Sequence, residues 1–333
     1  MWKGLMAAVL IAGAGVAAWV GAEDYVARRM RAALDDMPRA RAGAVLPLRD
    51  PTQWGMRLQE VEWAGQRAGL TMDWAQVSVA PLDPFRLRMA VPDAMRLTVA
   101  GRSVPLELTD PEGAVDFAPL RRMAPAHALM RAGAVTSDGV SMLAGGRIDA
   151  RLAQIDPAAP MTTLAAYDID LDLDALEPAA LALAGLPVPD APISVAGQAQ
   201  LWLDGTPGPL SRRAPRPTGF RSDGVTIALG AAEARVIGQV GHDAEGRAEG
   251  QVAVYTADAD AFLDQAVALG LMDGSARMIL GAGLRNIAGG GATDFPEPAA
   301  GELRLLMGFE GGRTTLGGMP IGPAPLLRPQ AGG

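Results

Sequence analysis

The stretch DIDLDLD, residues 168–174, decides the fold class of this chain. Acidic and apolar side chains alternate in it, and successive side chains of a strand point to opposite faces of a sheet. It therefore predicts a β-strand with one apolar face and one face carrying four carboxylates, about 6.8 Å apart. One strand cannot complete the oxygen shell of a Ca²⁺ ion, so the acidic face is predicted to be solvated rather than to bind a metal.

Shorter alternating stretches lie on both sides of this strand, separated by Gly and Pro. They cover residues 56–63, 71–80, 95–99, 104–109, 146–155, 197–203, 225–229, 234–240, 249–255, 301–309 and 313–316. Helical patterns do not alternate with them, which excludes a parallel α/β fold. We predict a mainly β protein with a few helices (α+β class), built on an extended, curved antiparallel sheet.

The few helical patterns are local. Residues 176–186 form one short candidate, and residues 258–286 predict a late helical hairpin. Asp258 is placed to cap its first helix, with Phe262, Ala266 and Leu269 on one face. Asp273 is placed to cap its second helix, with Ile279 inside.

The N-terminal residues 4–22 form a run of 19 residues without a charge, after Lys3 and before Glu23. As a helix the run reaches about 28 Å, close to the thickness of a bilayer core. Trp19 near its outer end favours an uncleaved anchor. A signal peptide cut after Ala22 is the alternative, because small residues precede that position.

The charges flanking the run oppose export under the positive-inside rule, because Arg28, Arg29 and Arg31 follow the run and outnumber Lys3. Export is still preferred, since the run starts close to the first residue and acidic residues follow it directly. We expect an inner-membrane anchor with a periplasmic domain, or a secreted periplasmic protein if the segment is cleaved.

Residues 23–38 predict a juxtamembrane helix, with Val26, Met30, Ala33 and Met37 on one face and Pro38 at its end. Residues 204–224 are rich in Pro, Gly and Arg and lack periodicity, which predicts a long hairpin loop or a subdomain linker. That segment divides a first β-rich part, residues 40–203, from a second, residues 225–333.

Composition excludes several chemistries. The chain has 333 residues, 29 Lys+Arg, 37 Asp+Glu and a net charge of −8, which disfavours nucleic acid as a partner. Cysteine is absent, which excludes disulfides, thiolate nucleophiles and iron–sulfur clusters. The two histidines, His127 and His242, are too few for a zinc site, and His242 is expected to be exposed in a turn. The sequence contains neither GxSxG nor a GxGxxG after a strand, so we predict no catalytic residue, cofactor or metal.

Two binding surfaces remain as candidates. Apolar alternation in the later strands predicts a hydrophobic ligand face lined by Val225, Ile227, Leu229, Val252 and Val254. The alternative is that the late helices, through Phe262 and Ile279, cover that face. Arginines of the irregular loop are the candidates for contact with anionic headgroups, against the alternative of a solvated loop: Arg212, Arg213, Arg216 and Arg221.

The C-terminal text GELRLLMGFEGGRTTLGGMPIGPAPLL, residues 301–327, resembles the ending of the alphaproteobacterial domain-of-unknown-function family 2125. Leu316, Gly317, Pro320, Ile321, Gly322 and Pro325 match its closing phrase. The resemblance implies no established activity. It does imply an organisation similar to AsmA-like envelope proteins, which combine a membrane helix with extended β structure and are associated with lipid transport or outer-membrane homeostasis.

Three hypotheses follow for function. The first is a non-enzymatic cell-envelope protein that handles lipid or another hydrophobic ligand on a sheet face. The second is a scaffold that binds another envelope protein along a sheet edge. The third is a hydrolase with an unidentified carboxylate site, which no pair of residues in the sequence favours.

Overall fold

The structure is a computed structural model that describes residues 23–32, 34–35, 39–65, 68–208, 213–268, 274, 277–278 and 294–327. The predicted membrane segment, residues 4–22, lies outside the described residues. So does most of the second predicted late helix, including Asp273 and Ile279. In the described part of the chain, none of the helices is long and apolar enough to cross a membrane.

Strands dominate the described residues, which confirms the mainly β class with few helices. The strands are β1 Ala40–Pro47, β2 Trp54–Ala64, β3 Ala68–Ala80, β4 Asp83–Ala90, β5 Ala94–Val99, β6 Arg102–Leu108, β7 Glu112–Ala118, β8 Ala124–Ala132, β9 Val135–Ser137, β10 Val140–Ala153, β11 Ala165–Leu176, β12 Ile193–Leu203, β13 Pro217–Leu229, β14 Ala232–His242, β15 Ala248–Thr256, β16 Leu303–Glu310, β17 Arg313–Leu316 and β18 Met319–Pro323. The helices are α1 (residues 23–32 and 34–35), α2 Pro178–Leu183, α3 Ala259–Ala268 and the 3-10 helix Pro119–Arg121.

The chain forms two compact units. The first comprises Met1–Phe117 and Val135–Val140, and it contains α1 and strands β1 to β7 with β9. Its strands pair antiparallel: β2 lies between β1 and β3, β3 pairs with both β4 and β5, and β6 joins β5 to β9. The predicted strand through residues 56–63 is present as β2, with an irregularity at Glu60, whose φ is 50°.

Helix α1 presents a different face from the one that the sequence predicts. Glu23 and Ala27 are buried, whereas Val26 is exposed. The reason is the buried Glu23 carboxylate, which accepts hydrogen bonds from the backbone N–H groups of Arg49 and Gly55. These bonds fix the rotation of the helix about its axis, so a stripe chosen for apolar content alone is offset by one residue. The predicted partners Ala33 and Met37 lie outside the described residues.

The second unit comprises Ala118–Ala134 and Ser141–Gly333. Its strands lie in the order β8, β10, β11 and on to β18, and every neighbouring pair is antiparallel. The stretch DIDLDLD lies within β11, as predicted. Its aspartates are exposed while Ile169, Leu171 and Leu173 are half-buried, so the alternation does separate the two faces of this sheet.

Segment 204–224 lies within this second unit, and the units instead divide at Phe117. Strand β13 already begins at Pro217, which pairs with Leu203 at the end of β12. The buried carboxylate of Asp204 accepts the backbone N–H of Arg216 at 2.7 Å and so draws the two ends of the segment together. Residues 204–216 therefore connect the two strands of the β12–β13 hairpin, and residues 217–224 already belong to β13.

The first late helix begins where the sequence predicts. Oδ1 of Asp258 accepts the N–H of Ala261 at 2.9 Å, which satisfies a donor that the helix itself leaves unpaired. Leu263 of α3 is buried against a core formed with Val254, Leu305 and Leu316. Helix α3 therefore covers one end of the apolar sheet face of this unit.

Candidate functional site

An apolar row crosses the sheet of the second unit. Residues that pair directly across antiparallel strands lie on the same face, and the observed register places eight positions in line. From β8 to β16 the row is Met130, Ile148, Leu171, Gly197, Val225, Val236, Val254 and Leu305. It contains no charged or polar side chain. We call it the apolar row.

A shorter row lies beside it on the same face. Leu173, Val195, Ile227 and Ala234 pair successively across β11, β12, β13 and β14. Together the two rows form an apolar strip that is two side chains wide from β11 to β14. Such a strip is the surface that a sheet buries against another layer or against a hydrophobic ligand.

Exposure changes along the apolar row. At the β8–β10 end, Met130 is 61% exposed and Ile148 is 43% exposed. Leu171 and Val225 in the middle are half-buried. At the far end Leu305 is only 1% exposed, because Leu263 of α3 packs there. Within the described residues, the helical cover therefore protects only one end of the row.

The five residues predicted to line a hydrophobic ligand face do share this face. Val252 and Val254 are nevertheless buried in the core, Val254 against Leu263 of α3 and Val252 against Ala324. Leu229 is also buried, while Val225 and Ile227 remain half-buried. The alternative that a late helix covers the face thus holds at Val254. Of the two residues that the sequence analysis names as a cover, Ile279 lies outside the described residues.

The accessible residues of the face are mostly ones that the sequence analysis did not assign to it. Met130 and Ile148 lie on β8 and β10, far from the 225–254 segment in sequence. A signal was present, because Ile148 alternates with the charged Arg147 and Asp149. What the sequence lacks is the strand order, which brings β8 and β10 to the end of the apolar row opposite α3.

The opposite face of the same sheet is polar. Arg151, Asp168, Gln200 and Arg221 pair successively across β10, β11, β12 and β13. A shallow cavity of about 380 Å³ opens among these side chains. Their hydrogen-bonding groups are directed at one another: the Gln200 amide donates to Asp168 at 2.8 Å and accepts from the Trp202 indole at 2.8 Å. These polar groups therefore satisfy one another's hydrogen bonds on this face, and the apolar row lies on the opposite face of the sheet.

Asp149 is the buried centre of that face. Its carboxylate accepts hydrogen bonds from Arg147 at 2.8 Å and Arg151 at 3.2 Å, and Nε2 of His127 lies 2.9 Å from it. Burial by itself raises the pKa of Asp149, but the hydrogen bond from Arg147 and the charges of His127 and Arg151 outweigh it and lower that pKa below its ordinary value. The cluster holds β8 and β10 together.

The arginines predicted to contact anionic headgroups are largely engaged within the protein. Arg213 pairs with the buried Asp204 at 3.0 Å, and Arg221 pairs with both Asp156 and Asp223. Arg216 is exposed, and Arg212 lies outside the described residues. The structure therefore does not gather these side chains into one cationic site among the residues it describes.

The other chemical candidates are placed as follows. The aspartates at 168, 170, 172 and 174 stay on the polar face, and no group of three or more metal-ligating side chains occurs in the described part of the chain. His242 is half-buried at the end of β14 rather than exposed in the turn, because its ring bonds to the backbone of Asp243 at 2.9 Å. It lines a cavity of about 480 Å³ that also contacts the buried Trp202.

Comparison with known proteins gives one family. The model of domain-of-unknown-function family 2125, described as an uncharacterized protein conserved in bacteria, matches residues 19–325. Searches of the curated proteins and of the solved structures each returned no match. The matched range extends from α1 to β18 and so covers both compact units. It also includes the closing phrase, Leu316 to Pro325, on which the resemblance rests. The chain therefore belongs to this family of uncharacterized bacterial proteins.

Proposed function

We propose that this protein is a non-enzymatic cell-envelope protein, anchored in the inner membrane through residues 4–22, that accommodates lipid acyl chains on the apolar row of its second unit. The observation that carries the proposal is the row itself. It has eight uncharged positions on eight strands of the second unit, and Met130 and Ile148 at one end are exposed. The expected likeness in organisation to AsmA-like envelope proteins is part of the same proposal.

The chemistry of the row favours an acyl chain over a polar ligand. A saturated chain needs no hydrogen bonds, and the row offers none. Each methylene removed from water contributes about 0.8 kcal/mol, so eight methylenes laid along the row contribute on the order of 6 kcal/mol before the cost of association. The four positions from Met130 to Gly197 lie on successive strands about 4.8 Å apart, which spans roughly 14 Å of extended chain.

The polar face does not compete for this ligand. Its arginines form ion pairs with neighbouring aspartates, so a lipid headgroup gains little there. The separation of an apolar and a polar face within one sheet therefore confines a hydrophobic ligand to one side.

The test uses the full chain in amphipol and a photoreactive 16-carbon fatty acid, with bound label measured by intact mass. Ile148→Asp places a charge on the apolar row, and Ile155→Asp is the matched control, because Ile155 is 44% exposed against 43% for Ile148 and lies beyond the end of β10. We expect Ile148→Asp and Met130→Asp each to lower labelling about tenfold, and Ile155→Asp to leave it within twofold. Equal labelling of all variants with unchanged circular dichroism contradicts the proposal.

A further inference from the structure

The start of helix α1 is fixed to the first unit by two acidic residues. The buried Glu23 carboxylate accepts the N–H of Arg49 at 3.3 Å and of Gly55 at 3.4 Å. Asp24 forms an ion pair with the Arg49 guanidinium at 2.8 Å. These contacts hold Glu23 and Asp24 at the end of the sheet where β2 begins.

This docking leaves three large apolar side chains exposed at that end. Tyr25 and Val26 lie on the exposed side of α1, and Trp54 precedes Gly55, one of the two residues that bind Glu23. We call Tyr25, Val26 and Trp54 the N-terminal rim. Exposed Trp and Tyr side chains are typical of a membrane–water interface, where a ring with one polar edge is favoured.

Charge and sequence identify the surface that the rim fits. Arg28, Arg29 and Arg31 are exposed on the same helix, and the Arg29 guanidinium lies 5.6 Å from the centre of the Tyr25 ring. Basic residues next to a membrane are attracted to anionic headgroups. Directly before Glu23 come the 19 uncharged residues 4–22, a length and composition suited to a bilayer core.

We infer that the N-terminal rim lies in the headgroup region of an anionic bilayer, so that the first unit rests on the membrane with the β2-start end of its sheet. The inference depends on the membrane anchor in the proposed function, but it adds a contact that an anchor alone does not require. An anchor alone leaves the orientation of the unit open, whereas the Glu23 contacts hold α1 at the end of the sheet where Trp54 lies, so a chain that leaves the bilayer just before Glu23 brings Trp54 close to the surface.

Trp63 is a control position for Trp54 within the first unit. Trp63, at the other end of β2, is 47% exposed against 42% for Trp54, and nine residues of strand separate them by roughly 30 Å. Because the chain has no cysteine, one introduced Cys takes a nitroxide label at a single position. Trp54→Cys and Trp63→Cys therefore compare two equally exposed positions of which only one belongs to the rim.

The experiment uses the full chain in nanodiscs of phosphatidylcholine and phosphatidylglycerol, with collision rates of the label measured against oxygen and a water-soluble nickel complex. We expect the label at position 54 to favour oxygen over nickel at least fivefold more than the label at position 63. Similar ratios at both positions overturn the inference. If Trp54→Cys fails to fold by circular dichroism, Val26→Cys takes its place with the same expected ratio.

A further variant separates the rim from the anchor. In Glu23→Ala, which removes the bonds to Arg49 and Gly55, we expect the label at position 54 to become accessible to nickel while the chain stays in the nanodisc. Unchanged immersion of that label contradicts the role of Glu23. A chain that does not enter nanodiscs at all refutes the anchor, and the inference with it. A chain that enters while the label at 54 stays in water refutes the inference alone.

Discussion

Ile148 lies directly opposite Leu171 across β10 and β11, while the next residue, Asp149, lies opposite Asp170 on the other face. One step along the chain therefore separates an exposed apolar surface from a buried, charged cluster. This alternation is the physical basis of the account, because it gives the second unit one face for a hydrophobic ligand and one for water.

The cluster around Asp149 is expected to stabilise the second unit. Replacing Asp149 with Asn removes the charge that Arg147 and Arg151 bind, and we predict a loss of about 1–2 kcal/mol in the free energy of unfolding. The loss is small because both arginines are largely exposed and can turn to solvent. Urea unfolding followed by fluorescence measures the loss. Asp172→Asn, an exposed aspartate of the same face, is the control and should change stability by less than about 0.5 kcal/mol.

The same variant predicts a pH dependence. Because the folded protein lowers the pKa of Asp149, its contribution is present above the unfolded-state pKa, near 4, and is lost as the pH falls through the lower folded-state pKa. The stability difference between wild type and Asp149→Asn should therefore shrink as the pH falls below about 4. A difference that stays the same or grows as the pH falls below about 4 contradicts this assignment.

The cap of α3 gives a third prediction. Asp258→Ala removes the acceptor for the N–H of Ala261 and should cost about 1 kcal/mol. Hydrogen exchange of the first turn of α3 should accelerate accordingly. Asp258→Ser keeps an oxygen acceptor at this position, so it should restore most of the protection. Equal exchange in the Ala and Ser variants excludes a capping role.

The helical cover of the apolar row is testable through Leu263. Leu263→Ala leaves a cavity beside Val254 and Leu305, and we predict a loss of about 2–4 kcal/mol. Thermal or urea unfolding measures it. Leu186→Ala truncates an exposed leucine of the same unit and should have almost no effect. Similar small losses in both variants show that α3 does not pack as described.

Gly238 is a position at which the sheet accepts only glycine. Its φ is 136°, and an added Cβ lies 2.4 Å from the backbone oxygen of Gln251 on the neighbouring strand. Gly238→Ala should therefore destabilise the second unit by at least about 2 kcal/mol. At Gly145 the nearest atom to an added Cβ is 3.9 Å away, so Gly145→Ala should be tolerated. Comparable expression and melting temperature for both variants contradict this account.

The sequence predicts the strands well where side chains alternate without interruption, as at residues 168–174 and 249–255. It misses β8, whose residues 124–132 mix Ala, Met, His and Arg without a regular period, and β4, which follows Pro81 and Leu82 closely. These strands are specified by the neighbours with which they pair rather than by their own pattern.

The candidate site is predicted only in part, for a related reason. Alternation identifies which residues share a face within one strand, so Val225, Ile227 and Val254 are correctly grouped. It does not say which strand is covered by a helix. The cover depends on the packing of α3 over Val254. This contact joins a helix to a strand, and the periodicity within either element carries no information about it. The rotation of α1 is missed because it depends on a buried carboxylate, whereas the sequence pattern considers only apolar residues.

The central claim, that the apolar row contacts acyl chains, is tested most directly in living cells by placing a photoreactive benzoylphenylalanine at Ile148 or at Arg147 of the full chain. The two positions are adjacent on β10, and their side chains lie on opposite faces of the sheet. We predict a lipid adduct, seen as a mass increase after irradiation, at position 148 and little or none at position 147. Absence of an adduct at 148, or equal adducts at both positions, would contradict the account.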